Sequence, residues 1–197
     1  MKLAGKRVGF AITGSFCTFG LILPVIDQMV KAGAVVTPIL SFNAAGLDTR
    51  FFAAEEFKRV LKQTTGAEII DDLVRAEPIG PKKLLDLIII APCTGNTLAK
   101  LALGVTDTPV LLAAKAHLRN SSPVLIAVST NDALSANAKN LGTLLNTRHI
   151  YFVPYRQDDS KKKCTSIVAD MEMTVAAAEF ALEGRQIQPV MLESKQG

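Results

Sequence analysis

Four short polar clusters, each directly after an apolar run, carry the residues that could do chemistry in this chain. They are Thr13-Gly14-Ser15, Ser41, Pro92-Cys93-Thr94-Gly95-Asn96-Thr97 and Ser129-Thr130-Asn131-Asp132. Hydroxyls and a carboxamide at helix starts are the parts of an anion or nucleotide cradle, because the first backbone N–H groups of a helix have no partner of their own. The longest cluster follows Asp86-Leu87-Ile88-Ile89-Ile90, which reads as a strand buried on both faces. Pro92 is expected to stop that strand and Gly95 to loosen the backbone. Thr94, Asn96 and Thr97 then supply polar groups just before a helix patterned on Leu98, Leu101, Ala102 and Val105. The turn Thr13–Thr18 is neither a Walker A loop nor a full G-x-G-x-x-G fingerprint. Its spacing alone leaves phosphate binding and an ordinary capped turn equally open, and Ser41 by itself is a weak signal.

Composition narrows the partners. The chain has 197 residues, 49% hydrophobic and rich in Ala, Leu, Val and Ile, which suits a parallel sheet between helical layers. Tryptophan is absent and aromatics make up 6%, so base-stacking platforms are scarce. The net charge of +4 is modest and its densest run, Lys161-Lys162-Lys163, is short. Small anions explain that balance as well as nucleic acid does, and no nucleic-acid partner is expected. No apolar run reaches membrane-spanning length. Cys17, Cys93 and Cys164 are odd in number and lack metal-ligand spacing, so no metal is expected and a reduced cytoplasm is the expected setting.

The elements that must position the clusters follow in order. Strands are expected over 6–12, 35–40, 84–91, 123–128 and 150–153, the last of these closing the set. Helices are expected over about 19–31, 53–64, 110–119, 133–145 and 166–183, besides the one after Thr97. Residues 68–70 read as a short edge strand, 43–50 as a polar loop and 154–163 as a charged, mobile loop. The alternation gives an α/β fold: a Rossmann-like doubly wound parallel sheet with helices on both faces, in a single domain over 1–184 with a C-terminal tail over 185–197. The four polar clusters would then line one edge of the sheet.

The pattern Thr13-Gly14-Ser15, Ser41, then Pro92-x-Thr94-Gly95-Asn96-Thr97-x-x-Lys100-x-x-x-Gly104-x-x-Asp107 resembles the FMN-binding flavoprotein family, which includes flavin-containing cysteine decarboxylases and flavin prenyltransferases. The family motif P-A-S-A-N-T stands here as Pro-Cys-Thr-Gly-Asn-Thr. Further segments are similar to one branch of the family: Phe42-Asn43 with Thr49-Arg50-Phe51, Ala76-Glu77-Pro78-x-Gly80-Pro81-Lys82, Ser129-Thr130-Asn131-Asp132-Ala133-Leu134 and Gln157-Asp158-Asp159. That branch works with an NADP-binding partner chain to make dipicolinate in spore-forming bacteria. The resemblance implies an oxidoreductase subunit with FMN, NADP on the partner, a small dicarboxylate substrate, trimer-based homo-oligomers and the mother-cell cytoplasm. The segment 41–66 lacks the decarboxylases' histidine, and Ser129–Asp132 replaces their P-x-M-N motif. A stand-alone decarboxylase or prenyltransferase, and a non-catalytic scaffold, remain the alternatives.

What the resemblance implies for single residues is as follows. Thr13, Gly14, Ser15, Ser41, Cys93, Thr94, Gly95, Asn96 and Thr97 would hold the cofactor. Asp132, Asn131 and Asn96 are the catalytic candidates, with Asp132 as acid or base. Arg50, Lys115, Arg119 and Arg156 would grip substrate carboxylates, although each also reads as a solvated surface charge. Asp158 and Asp159 would act in a lid or an inter-chain contact. His117 and His149 are expected at the surface or as helix caps, and a nucleophilic role for Cys17 or Cys93 is left open.

Overall fold

Residues 2–193 are described in the computed structural model. Five strands form the parallel part of the sheet: β1 (Arg7–Ile12), β2 (Val35–Leu40), β3 (Leu87–Cys93), β4 (Val124–Thr130) and β5 (Ile150–Phe152). β2 and β3 flank β1, β4 pairs with β3, and β5 pairs with the first half of β4, all parallel. The central strands are apolar because both faces are covered: every residue of β3, from Leu87 to Cys93, is buried. The helices are α1 (Phe19–Lys31), α2 (Phe42–Gly46), α3 (Ala54–Thr65), α4 (Leu73–Ala76), α5 (Gly95–Ala102), α6 (Pro109–Arg119), α7 (Ala138–Leu145) and α8 (Thr174–Leu182). Packing contacts run in series through α3, α1 and α8 on one face and through α4, α6, α5 and α7 on the other. The doubly wound sheet is therefore as expected.

Local chemistry sets the helix limits. Thr108 caps α6 by accepting from Leu111 N, with Pro109 at the first helical position. Gly66, at φ +66, ends α3 in the left-handed conformation that a side chain would disfavour. α1 begins and ends as the apolar pattern predicts. Phe19 on it stacks on Phe57 of α3 at 4.2 Å between ring centroids.

Several expectations need correction. Pro92 does not stop the third strand, which runs on to Cys93 with its register to β4 shifted after Ile90. Edge strand 68–70 reduces to one bridge, Ile39 with Ile70, and the loop 43–50 contains most of α2. The helix over 133–145 begins only at Ala138. The largest change is at 154–169. Instead of a mobile loop running into a helix, the chain forms an antiparallel hairpin of β6 (Tyr155–Asp159) and β7 (Lys163–Ala169), joined to the last residues of β4. Its outer strand β6 lies at the sheet edge and carries Arg156, Asp158 and Asp159, charged residues that hide the strand in the sequence and discourage further strand pairing. Asp159 closes the turn by accepting from Lys161 N and Lys162 N, both at 2.9 Å. Beyond Gly184 the tail is tied down: Gln186 pairs through its carboxamide with both backbone groups of Phe152, and Tyr155 exchanges backbone bonds with Val190 and Leu192. The end of the expected tail, 194–197, lies outside the described residues.

His117 is not a surface residue. It is 1% exposed on α6, and its Nε2 has no hydrogen-bond partner among the described residues. Burial pushes its imidazole down to about 4, against an ordinary 6.5, and contact with the Pro123 backbone offsets only part of this. The unfolded chain therefore binds more protons than the folded one within that window. Stability is full above about pH 6.5 and is lost as pH falls towards about 4. Urea titrations should show His117 contributing up to about 3 kcal/mol to this loss, and His117→Gln should flatten the fall. An unchanged slope in the variant would contradict the assignment.

Candidate functional site

The carboxyl ends of β1, β2, β3 and β4 meet along one edge of the sheet, where strand order places a ligand in this kind of fold. Two adjoining clefts open there. The larger, of about 650 Å3, lies between Gly14-Ser15, Thr94–Asn96, Ser129–Asp132 and the hairpin. The smaller, of about 350 Å3, is lined by Thr13, Gly14, Ser41–Asn43, Thr94, Asn96, Thr97, Lys100, Asp107 and Thr108. Gly14, Thr94 and the exposed Asn96 belong to both, so the two clefts adjoin across these residues.

A hydroxyl network fixes this edge. Thr13, 1% exposed, donates from Oγ1 to the Pro92 carbonyl at 2.7 Å and accepts from Thr94 N at 3.0 Å. Thr94 caps α5 by accepting from Thr97 N, and its hydroxyl donates to Thr97 Oγ1 at 3.1 Å. Ser15 reaches Ser129 Oγ at 3.0 Å and Thr18 Oγ1 at 3.1 Å, linking the ends of β1 and β4. Ser41 caps α2 by accepting from Ala44 N. Every hydroxyl expected in the cradle thus lies at the site.

Asp132 also lies on the larger cleft, with both carboxylate oxygens engaged. Oδ1 accepts from Thr130 Oγ1 at 2.5 Å, and Oδ2 from Asn137 Nδ2 at 2.7 Å. Gly95 makes this possible. A Cβ there would lie 2.5 Å from Thr130 Oγ1, 2.6 Å from Asp132 Oδ1 and 2.7 Å from Asn137 Nδ2. The carboxylate therefore fills the space beside the first turn of α5 that a side chain at 95 would need, where a helix start favours negative charge. Asn131 is exposed on the same wall, with its carbonyl accepting from Thr165 Oγ1 at 2.7 Å.

Other expected residues fall elsewhere. Cys93 is fully buried beneath the turn and lines neither cleft; burial pushes its thiol pKa up, which removes the thiolate a nucleophile needs. Cys17 is exposed at the larger cleft. None of the four proposed carboxylate-binding cations lines either cleft. Arg50 lies over the Phe51 ring at 4.9 Å, and Lys115 donates to the Gly104 carbonyl at 2.9 Å. Arg119 ends α6, about 16 Å of helix from Thr108. Arg156 pairs with Asp170 at 2.8 Å in a further groove between α1 and the hairpin, which adjoins the larger cleft at Leu21, Asp158 and Val168. The cations actually on the clefts are Lys163 in the larger, paired with Asp158 at 2.6 Å, and Lys100 in the smaller, paired with Asp107 at 2.5 Å. Sequence reasoning missed Lys163 because the run 161–163 reads as solvated charge. The β-branched stretch around Ile167-Val168 was the available sign that a strand carries it.

A family model described as flavoprotein matches residues 1–179. The B subunit of dipicolinate synthase from Bacillus subtilis (strain 168) is 47% identical over 196 residues, spanning 100% of this chain and 98% of that protein. The crystal structure of the corresponding B subunit from Bacillus halodurans C superposes with a TM-score of 0.91 at 47% identity, covering 98% of this chain and 99% of that one. The FMN-dependent cysteine decarboxylase SpaF shares the fold at a TM-score of 0.67 and 20% identity, over 92% of this chain and 99% of its own.

The packing around Gly95 makes a quantitative prediction. Gly95→Ala should destabilise the chain by about 1–3 kcal/mol through overpacking, measured by urea unfolding. In an Asp132→Ala background the same substitution should cost about 1 kcal/mol less; equal costs in both backgrounds would contradict the close packing of the two sites. With the hydroxyl-lined edge at the strand ends, the family motif at 92–97 and the match over residues 1–179, the chain belongs to the flavoprotein family.

Proposed function

We propose that this chain is the flavin-binding B subunit of a dipicolinate synthase. With an NADP-binding A subunit, it would take part in the dehydration and oxidation of 4-hydroxy-tetrahydrodipicolinate to dipicolinate during sporulation. The observation that carries the proposal is the pair of adjoining clefts that share Asn96, in a chain similar over its whole length to the B subunit of dipicolinate synthase. No helix among the described residues is long and apolar enough to cross a membrane, and the mother-cell cytoplasm is the proposed location.

The donor set fits FMN. The smaller cleft offers the hydroxyls of Ser41, Thr97 and Thr108, the Lys100 ammonium and the first turns of α5 and α6, a combination suited to a phosphate monoester. The larger cleft has the volume for a planar ring system and is walled by Gly14, Ser15, Ser129 and the apolar Ile167 and Val168. Bound there, FMN would supply a two-electron acceptor for a hydride, while the nicotinamide of NADP on the partner takes up that hydride in the overall balance.

The chain's own residues would bind and orient. Asn96, reaching both clefts, would fix the ring relative to the phosphate end, and Asn131 would donate to a polar group of the substrate. Asp132 would serve as a positioning residue, since its oxygens already accept from Thr130 and Asn137. The exposed Phe42 on the smaller cleft, with Leu47 and Phe51 exposed further along the chain, supports a homo-oligomer that covers this edge.

Purified chain should take up added FMN and show flavin absorption in the visible. Asn96→Asp and Ser15→Glu should each weaken uptake by at least about 100-fold while leaving the unfolding midpoint close to that of the parent. A chain that stays colourless with excess FMN would replace this reading with the scaffold alternative. Mixed with its A subunit, cyclic substrate and NADP, the chain should accelerate dipicolinate formation; equal rates without it would contradict a catalytic part.

A further inference from the structure

We infer that Lys163 is the cation that receives a substrate carboxylate in the larger cleft, and that Asp158 holds its ammonium group until an anionic ligand displaces the pair. The inference rests on the proposed reading of this cleft as the place where substrate meets flavin. An anion in the cleft needs a positive partner, and among the described residues lining it Lys163 is the one basic side chain. Its position comes from the hairpin: β7 starts at Lys163 and pairs with β6, so the residue stands on a wall rather than on a loop. The turn after β1, with Gly14, Ser15 and Cys17, lines the same cleft.

The existing partner is weakly held. Asp158 meets Lys163 at 2.6 Å, but their side chains are 34% and 59% exposed, and an ion pair that open to water contributes little. Exchange of one carboxylate for another is therefore nearly balanced, and the extra contacts of a bound ligand decide its direction. Ser166 Oγ, which donates to the Thr130 carbonyl at 3.2 Å and lies 3.5 Å from Asp158 Oδ2, can turn its proton to the released carboxylate. The other acid on this wall, Asp132, is already engaged by Thr130 and Asn137 and does not compete for Lys163. The arrangement selects for charge: an uncharged pyridine leaves the pair closed, whereas pyridine-2,6-dicarboxylate opens it.

Calorimetric titration of pyridine-2,6-dicarboxylate into the full chain loaded with FMN tests this, with pyridine as the uncharged comparison. Lys163→Gln should weaken dicarboxylate binding at least about 10-fold and Lys163→Arg should restore most of it, as expected for a charge-assisted contact. Asp158→Asn, which removes the competitor, should tighten binding about 3-fold or more, whereas loss of a merely structural pair would weaken it. Unchanged binding in Lys163→Gln, or equal weakening in Lys163→Gln and Asp158→Asn, would overturn the inference. Parent protein that takes up FMN but binds no dicarboxylate overturns it while leaving the flavin reading standing. Failure to take up FMN sinks that reading instead, and the same titration of the flavin-free chain then judges Lys163.

Discussion

One buried hydroxyl joins the two strand ends on which the site depends. Thr13 Oγ1 gives its proton to the Pro92 carbonyl and accepts the Thr94 N–H, so the turn after β1 and the turn after β3 are one hydrogen-bonded unit. Both backbone groups lie where the parallel ladder ends, and a buried backbone group left unpaired costs about 1–3 kcal/mol. With this bond in place, Thr94 caps α5, α5 starts at Gly95, and Asn96 emerges between the two clefts. The Ser15–Ser129 bond extends the unit to β4.

The site built on this unit is mostly neutral. Its polar surface is hydroxyl, carboxamide and backbone beside the Asp132 carboxylate, and its two lysines are each matched by a further aspartate. A neutral lining with helix starts behind it favours a ligand that carries a compact anion at one end and a hydrogen-bonding ring at the other. Gly95 and Asp132 give this chain its own version of the family motif. The carboxylate takes the volume that a side chain at 95 would occupy, and it ties the β4 turn to Asn137 just before α7.

The parallel sheet was legible because its strands are buried on both faces, so apolar runs end abruptly in hydroxyls and glycine, as at Ile12-Thr13 and Leu40-Ser41. The hairpin was not, because its strands are half-solvated and Lys163 reads as one of three loop lysines until β-pairing sets it on a wall. The cationic candidates failed for a related reason: nothing local separates an arginine on a cleft from one such as Arg156, which is held by Asp170 in another groove. Burial of His117 and Cys93 depends on α6 and on the turn lying over the sheet, which no local pattern reports. Pro92 misleads because its strand continues despite the missing donor.

The proposed flavin site spans both clefts, with Asn96 between them. A crystal structure of the chain grown with FMN tests it most directly. The phosphate should lie beside Ser41 and Lys100 and the ring against Ser129 and the hairpin, with Asn96 contacting the ligand between them. FMN bound in the groove between α1 and Arg156, or with its phosphate against the hairpin, would contradict it.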